Sequence, residues 1–213
     1  MTIATGIEIE RRMIVARELR ASAAGEAPRI SGYAALFNTL SQDLGGFRER
    51  IAPGAFTKSL AEDDVRALRN HNPDYVLGRN RANTLSLAED EAGLRFEVTP
   101  PDAQWANDLL VSIRRGDVDQ MSFGFEIRST DGHSWEQVDN QIIRTLLDVK
   151  LWEISPVTFP AYPQTSAQVR SMVTQLQTTG NTGQGLGGAG DRGQKRQAPL
   201  TVLRARVDLA LKV

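Results

Sequence analysis

The chain contains no cysteine and only two histidines in 213 residues. Disulfides and thiolate metal sites are therefore excluded, and a histidine-rich metal site has too few ligands to form. No apolar run approaches the roughly 20 residues that a membrane-spanning helix requires. Positions 1–20 carry Glu8, Glu10, Arg11 and Arg12 without an apolar core segment, so no signal peptide is read there and a cytoplasmic protein is expected. What remains is ordinary for a soluble globular chain, with 40% hydrophobic and 24% charged residues. The length suits one domain plus an appendage.

The net charge of −1 conceals an asymmetry. From residue 170 onward, Arg170, Arg192, Lys195, Arg196, Arg204, Arg206 and Lys212 face only Asp191 and Asp208, which gives +5. The rest of the chain holds 18 basic and 24 acidic side chains, or −6. The body is acidic and the tail basic, so the tail is either a solvated extension or a dock for an acidic surface.

Composition also divides the chain. Residues 1–170 read as the folded domain. Residues 171–199 are rich in Gly, Gln and Thr, with seven glycines between 180 and 193, and predict a flexible linker. Residues 200–213 form a short amphipathic segment whose alternation suits a strand and whose Leu, Ala and Arg content suits a helix.

Within the body, Met13–Ala16, Ile30–Phe37 and Phe47–Ile51 read as strands, and a short helix is expected from about Phe56 to Ala61. Thr84–Leu87 and Leu94–Val98 alternate around Glu89-Asp90-Glu91-Ala92-Gly93 as a hairpin. Asp102 is placed to cap a helix running to about Arg115 and ending at Gly116. Ile142–Leu147 and Val149–Ile154 complete the strands. The pattern is a β-rich α+β domain with one long helix.

Three residues sit in contexts that suit chemistry. Ser122 lies on a strand whose apolar face is Met121, Phe123, Phe125 and Ile127, with Gln120, Gly124 and Glu126 on its own face. A solvent-facing serine and a nucleophile are the two readings; Gly124 would leave room for a substrate backbone to approach. His71, between Asn70 and Asn72, is either a surface histidine in a turn or a base placed to reach a neighbour. His133, in Asp131-Gly132-His133, reads as a turn residue and is the weaker candidate. Glu153 interrupts the apolar run Val149–Ile154, and a carboxylate there is costly without a partner. A histidinium or an arginine would serve; Asp148 is the fallback acid.

Several motifs, in order, resemble the prohead (capsid-maturation) serine protease family of tailed bacteriophages. They are Gly32-Tyr33-Ala34-Ala35-Leu36-Phe37-Asn38, Glu49-Arg50-Ile51-Ala52-Pro53-Gly54-Ala55-Phe56, Leu68-Arg69-Asn70-His71-Asn72 with Leu77-Gly78-Arg79, Gln120-Met121-Ser122-Phe123-Gly124-Phe125, and Leu151-Trp152-Glu153-Ile154-Ser155-Pro156-Val157-Thr158-Phe159-Pro160-Ala161. Together they span roughly residues 10–167, and an ordered set is far more specific than any one motif.

The resemblance implies a fold like the herpesvirus capsid-assembly protease, a closed and mostly antiparallel β-barrel surrounded by helices. It implies a nucleophilic Ser122 and a general base at His71, with Glu153 as the third member where the herpesvirus relatives use a second histidine. It implies a serine endopeptidase that cuts scaffolding segments from the major capsid protein, and also cuts itself, inside the immature capsid in the bacterial host. No cofactor, metal, nucleic acid or membrane is implied, and a homodimer is left open. The rival reading is a non-catalytic capsid-assembly or scaffolding protein. A small-ester hydrolase is disfavoured because no Gly-x-Ser-x-Gly elbow surrounds Ser122.

Overall fold

Met121, Phe123 and Phe125 alternate along one strand and are completely buried, which fixes the inner face of the central sheet. Phe123 meets Phe56 edge-on at 5.8 Å between ring centroids and leans on Phe125 at 5.4 Å. The computed structural model describes residues 9–159 and Thr174. The linker 171–199 and the amphipathic segment 200–213 expected from the sequence lie outside the described residues.

The strands are β1 (Glu10–Val15), β2 (Arg20–Ala21), β3 (Ile30–Leu36), β4 (Arg48–Ile51), β5 (Arg66–Arg69), β6 (Asn72–Arg79), β7 (Leu85–Glu89), β8 (Gly93–Val98), β9 (Gln120–Ile127), β10 (His133–Val138), β11 (Gln141–Leu146) and β12 (Val149–Val157). The helices are α1 (Thr57–Glu62) and α2 (Gln104–Arg115). One sheet runs β1-β9-β12-β5-β6, a second β2-β3-β8-β7 and a third β10-β11-β4. Most pairings are antiparallel; β12 with β5 and β11 with β4 are parallel.

The expected closed barrel with surrounding helices is not what the chain forms. The described strands make three open sheets, and between residues 9 and 159 the α-helices are one six-residue and one twelve-residue segment. Closure requires a continuous stagger of hydrogen-bonded register around the sheet. Among the described residues β1 ladders only with β9 and β6 only with β5, so the two outer strands of the largest sheet do not pair with each other. The expected cap at Asp102 also differs. Ala103 precedes α2 without a side-chain cap, while Gly116, at φ 80, ends it as anticipated. Ala106, Leu109, Leu110 and Ile113 are its buried stripe.

Four charged side chains join the five-stranded and three-stranded sheets. Arg12 binds Glu10 and Glu49, both at 2.7 Å, and Arg144 reaches Glu10 at 2.8 Å and Glu49 at 3.2 Å. All four are buried, and Arg144 is only 1% exposed. Burial alone would raise the Glu10 pKa, but the hydrogen bond and charge of Arg144, with those of Arg12, hold it below the usual carboxylate range. Removing any one member would strand an uncompensated charge.

His133 completes this junction. Its Nδ1 lies 3.2 Å from Arg144 Nη2, and a guanidinium only donates, so that nitrogen accepts and the ring is neutral. Burial first, then the Arg144 charge, lowers its pKa from 6.5 to about 4. Between those two values the unfolded chain binds a proton that the folded chain refuses, so stability is lost as pH falls through that window. His133→Gln keeps an acceptor without a titration. Its denaturant midpoint should therefore drop less between pH 7 and pH 4.5 than that of the parent chain. Equal drops would remove His133 as a source of the slope.

Candidate active site

The connection from β5 to β6 is two residues long, Asn70 and His71, with φ of 53° and 59°. Such a hairpin demands left-handed backbone at both positions, where Asn and His are tolerated better than most side chains. The turn is fastened to β12. Asn70 donates its N–H to the Pro156 carbonyl at 3.1 Å, and its side chain accepts the Thr158 N–H at 2.9 Å. The N–H of His71 donates to Ser155 Oγ at 3.2 Å. The tight turn thus brings an imidazole over the middle of the sheet.

That imidazole meets Glu153. Nδ1 lies 2.6 Å from Glu153 Oε1, and a carboxylate can only accept, so Nδ1 carries the proton of that contact and, in the neutral ring, Nε2 is the acceptor. Nε2 is buried and has no hydrogen-bond partner among the described residues. The second carboxylate oxygen accepts the Ser155 hydroxyl at 2.5 Å. Arg11 Nε stands 3.9 Å from Oε1 on a half-exposed side chain. Glu153 therefore has both kinds of partner its context called for, with the imidazole the nearer.

A β-bulge delivers the carboxylate to this face. Leu151 pairs with Phe125 and Glu153 with Gly124, leaving Trp152 as an extra residue. Uninterrupted alternation from Val149 would have turned Glu153 into the core with Leu151. The extra residue resets the alternation, so Ile154 points inward and is fully buried, while Glu153 and Ser155 share the outer face.

Gly124 completes the seat, for a reason other than the one expected. Its space is filled by Glu153, not left for substrate: a Cβ at Gly124 would lie 2.7 Å from Glu153 Oε1 and 3.3 Å from its Cγ. Gly124→Ala should push the carboxylate off His71 and lower any turnover that depends on the pair at least about tenfold, with a stability loss of about 1–3 kcal/mol. Turnover measured beside thermal melting checks it, and unchanged turnover would show that the carboxylate has freedom to move.

Ser122 lies opposite Ser155 in the β9–β12 register and opposite Met13 in the β1–β9 register, so it occupies the same sheet face as Glu153. It is completely buried rather than facing solvent. Its hydroxyl donates to the Arg12 carbonyl at 3.0 Å, not to His71. The structure thus pairs His71 with Glu153 and sets Ser122 beside them with its proton engaged elsewhere.

A family model for the caudovirus prohead serine protease matches residues 15–180. The chain belongs to this family. The prohead protease of Enterobacteria phage HK97 is 31% identical over 172 residues, covering 76% of this chain and 68% of that protein. The solved structure of the bacteriophage T4 capsid assembly protease aligns with a TM-score of 0.41 at 10% identity, over 72% of this chain and 99% of that one. Membership makes the chain a protease of phage capsid maturation, as its ordered motifs led us to expect.

Two other candidates fall away from the His71–Glu153 pair. Asp148, the fallback acid, accepts from Lys58 at 2.6 Å and lies 3.5 Å from Arg128. His133 is committed to Arg144. Ser155, Asn70 and Arg11 touch the His71–Glu153 pair or its turn and were not singled out from the sequence. Only Ser155 left a signal there, two residues beyond Glu153 and hence on its face of an extended strand. Among the described residues no three His, Cys, Asp or Glu side chains group as a metal site, and no helix is long and apolar enough to cross a membrane.

Proposed function

We propose that this prohead protease is a serine endopeptidase with Ser122 as nucleophile, His71 as general base and Glu153 as the acid that holds the imidazole. The observation that carries the reading is the 2.6 Å contact from Nδ1 to Glu153, which leaves Nε2 buried and without a hydrogen-bond partner among the described residues, while Ser122 shares the sheet face of Glu153. In this reading the Ser122 hydroxyl leaves the Arg12 carbonyl and gives its proton to Nε2 as Oγ attacks the scissile carbonyl. The imidazolium, stabilised by Glu153, returns the proton to the leaving amine. Water then hydrolyses the acyl-enzyme with His71 again as base.

The substrates in this reading are the major capsid protein, cut at its scaffolding segment inside the immature capsid, and the chain itself. Residues 1–170 carry the chemistry, and the basic, glycine-rich 171–213 deliver it to an acidic partner surface. A chain ending at residue 170 should keep peptide-bond hydrolysis yet fail to co-sediment with assembling shells. Lost turnover with retained co-sedimentation would reverse that division.

The non-catalytic assembly reading draws on one observation: Ser122 is buried and its proton is already engaged. A fluorophosphonate probe, followed by peptide mapping, separates the two. Covalent label on Ser122, abolished by His71→Ala, is the expected result. An unlabelled chain, or label on Ser155, would overturn the assignment.

A further inference from the structure

The His71–Glu153 pair rests on a hydroxyl that the proposed triad does not use. Ser155 is completely buried, and among the described residues its side chain hydrogen-bonds only to that pair. Its hydroxyl donates to Glu153 Oε2 at 2.5 Å, while its oxygen accepts the backbone N–H of His71 at 3.2 Å. The β9–β12 register sets it directly across from Ser122. One oxygen therefore touches the acid and the base and flanks the nucleophile.

We infer that Ser155 is the positioning residue of the site, a fourth member that fixes both the carboxylate plane and the turn carrying the imidazole. The inference rests on the triad reading above. Glu153 can rotate about its terminal torsion, which is soft and roughly two-fold. With Nδ1–H on one oxygen and the Ser155 hydroxyl on the other, the plane has one orientation. The same serine satisfies the His71 amide, a donor in a turn with no ladder partner at that position. Holding both ends through one atom keeps Nδ1 and Oε1 in register when the turn moves. Ser155 acts through Glu153 and His71 in this arrangement, its hydroxyl donating to the carboxylate that already holds Nδ1. A charge-assisted bond of this kind is short and strong, and the 2.5 Å separation fits that class.

The test uses the full chain, a fluorophosphonate and the ring N–H resonances of histidine. With two histidines in the chain, His133→Gln assigns the spectrum. Ser155→Ala should leave the far-UV circular dichroism unchanged, shift or broaden the His71 Nδ1–H resonance, and slow labelling of Ser122 about 10- to 100-fold. Ser155→Thr restores a hydroxyl in a residue suited to strands, and should recover both readouts. If Ser155→Ala leaves the resonance and the labelling rate as they are, Ser155 positions nothing. If the parent chain never labels at Ser122 but its Nδ1–H resonance still moves in Ser155→Ala, the nucleophile assignment falls while the positioning role stands. Label on Ser155 itself would overturn the inference, since the residue would then be the nucleophile.

Discussion

Ser122→Ala is expected to yield a folded chain that has lost its cleavage activity. The expected loss is on the order of 10³-fold or more, because without the oxygen no acyl-enzyme forms and only residual binding effects remain. The fold should survive. The strand is anchored by Met121, Phe123 and Phe125, which the substitution leaves in place. What is lost is one buried hydrogen bond, from Oγ to the Arg12 carbonyl, worth about 1 kcal/mol. The measurement is a gel or mass spectrum of capsid protein co-expressed with the variant, beside a denaturation curve. Processing that continues in Ser122→Ala would sink the nucleophile assignment outright. His71→Ala should match it in activity, and its turn gives a second check: Asn70 still holds Pro156 and Thr158, so the hairpin remains on β12.

Glu153→Gln is expected to cost about 10²- to 10⁴-fold while keeping the side chain's shape. An amide is neutral and cannot stabilise the imidazolium. Turned toward Nδ1, its NH₂ would donate, force the proton onto Nε2 and leave no base for Ser122. The paired control is Asp148→Asn. Asp148 serves Lys58 at the far end of the strand, so its amide should be nearly as active as the parent chain. The opposite outcome, with Glu153→Gln active and Asp148→Asn dead, would mean that the pairing with His71 has no part in turnover.

The strand alternation of β9, the β7–β8 hairpin and the glycine stop after α2 were all legible in the sequence, because each depends on neighbours within a few residues. The need of Glu153 for a partner was legible too, as a matter of solvation. Its geometry was not. A strict period of two places Glu153 inward, and only the extra residue at Trp152, visible in the register, turns it out. Nor could alternation say that the outer face is covered. It assigns Ser122 a side of the sheet, but burial there depends on β1 and β12 lying on either flank. The parallel pairing of β5 with β12 is a contact across 80-odd positions, beyond any local pattern. Closure of the barrel was carried over from the family resemblance, and the three separate sheets of the described residues overrule it.

The ionic junction has a consequence for the order in which the domain can be made. Glu10 and Arg12 leave the ribosome early, Glu49 follows, and Arg144 comes close to the end of the described fold. A nascent chain that stops short of residue 144 holds two glutamates against one arginine, a net negative charge at a place the finished protein keeps dry. The first strand can ladder with β9 earlier, but it carries an uncompensated charge into that pairing until the eleventh strand is synthesised. Residues of β11 and β12 follow within a few positions of each other, so the same late stretch that neutralises the junction also brings in Glu153. Truncated translation products then carry neither a neutral junction nor a histidine paired with Glu153.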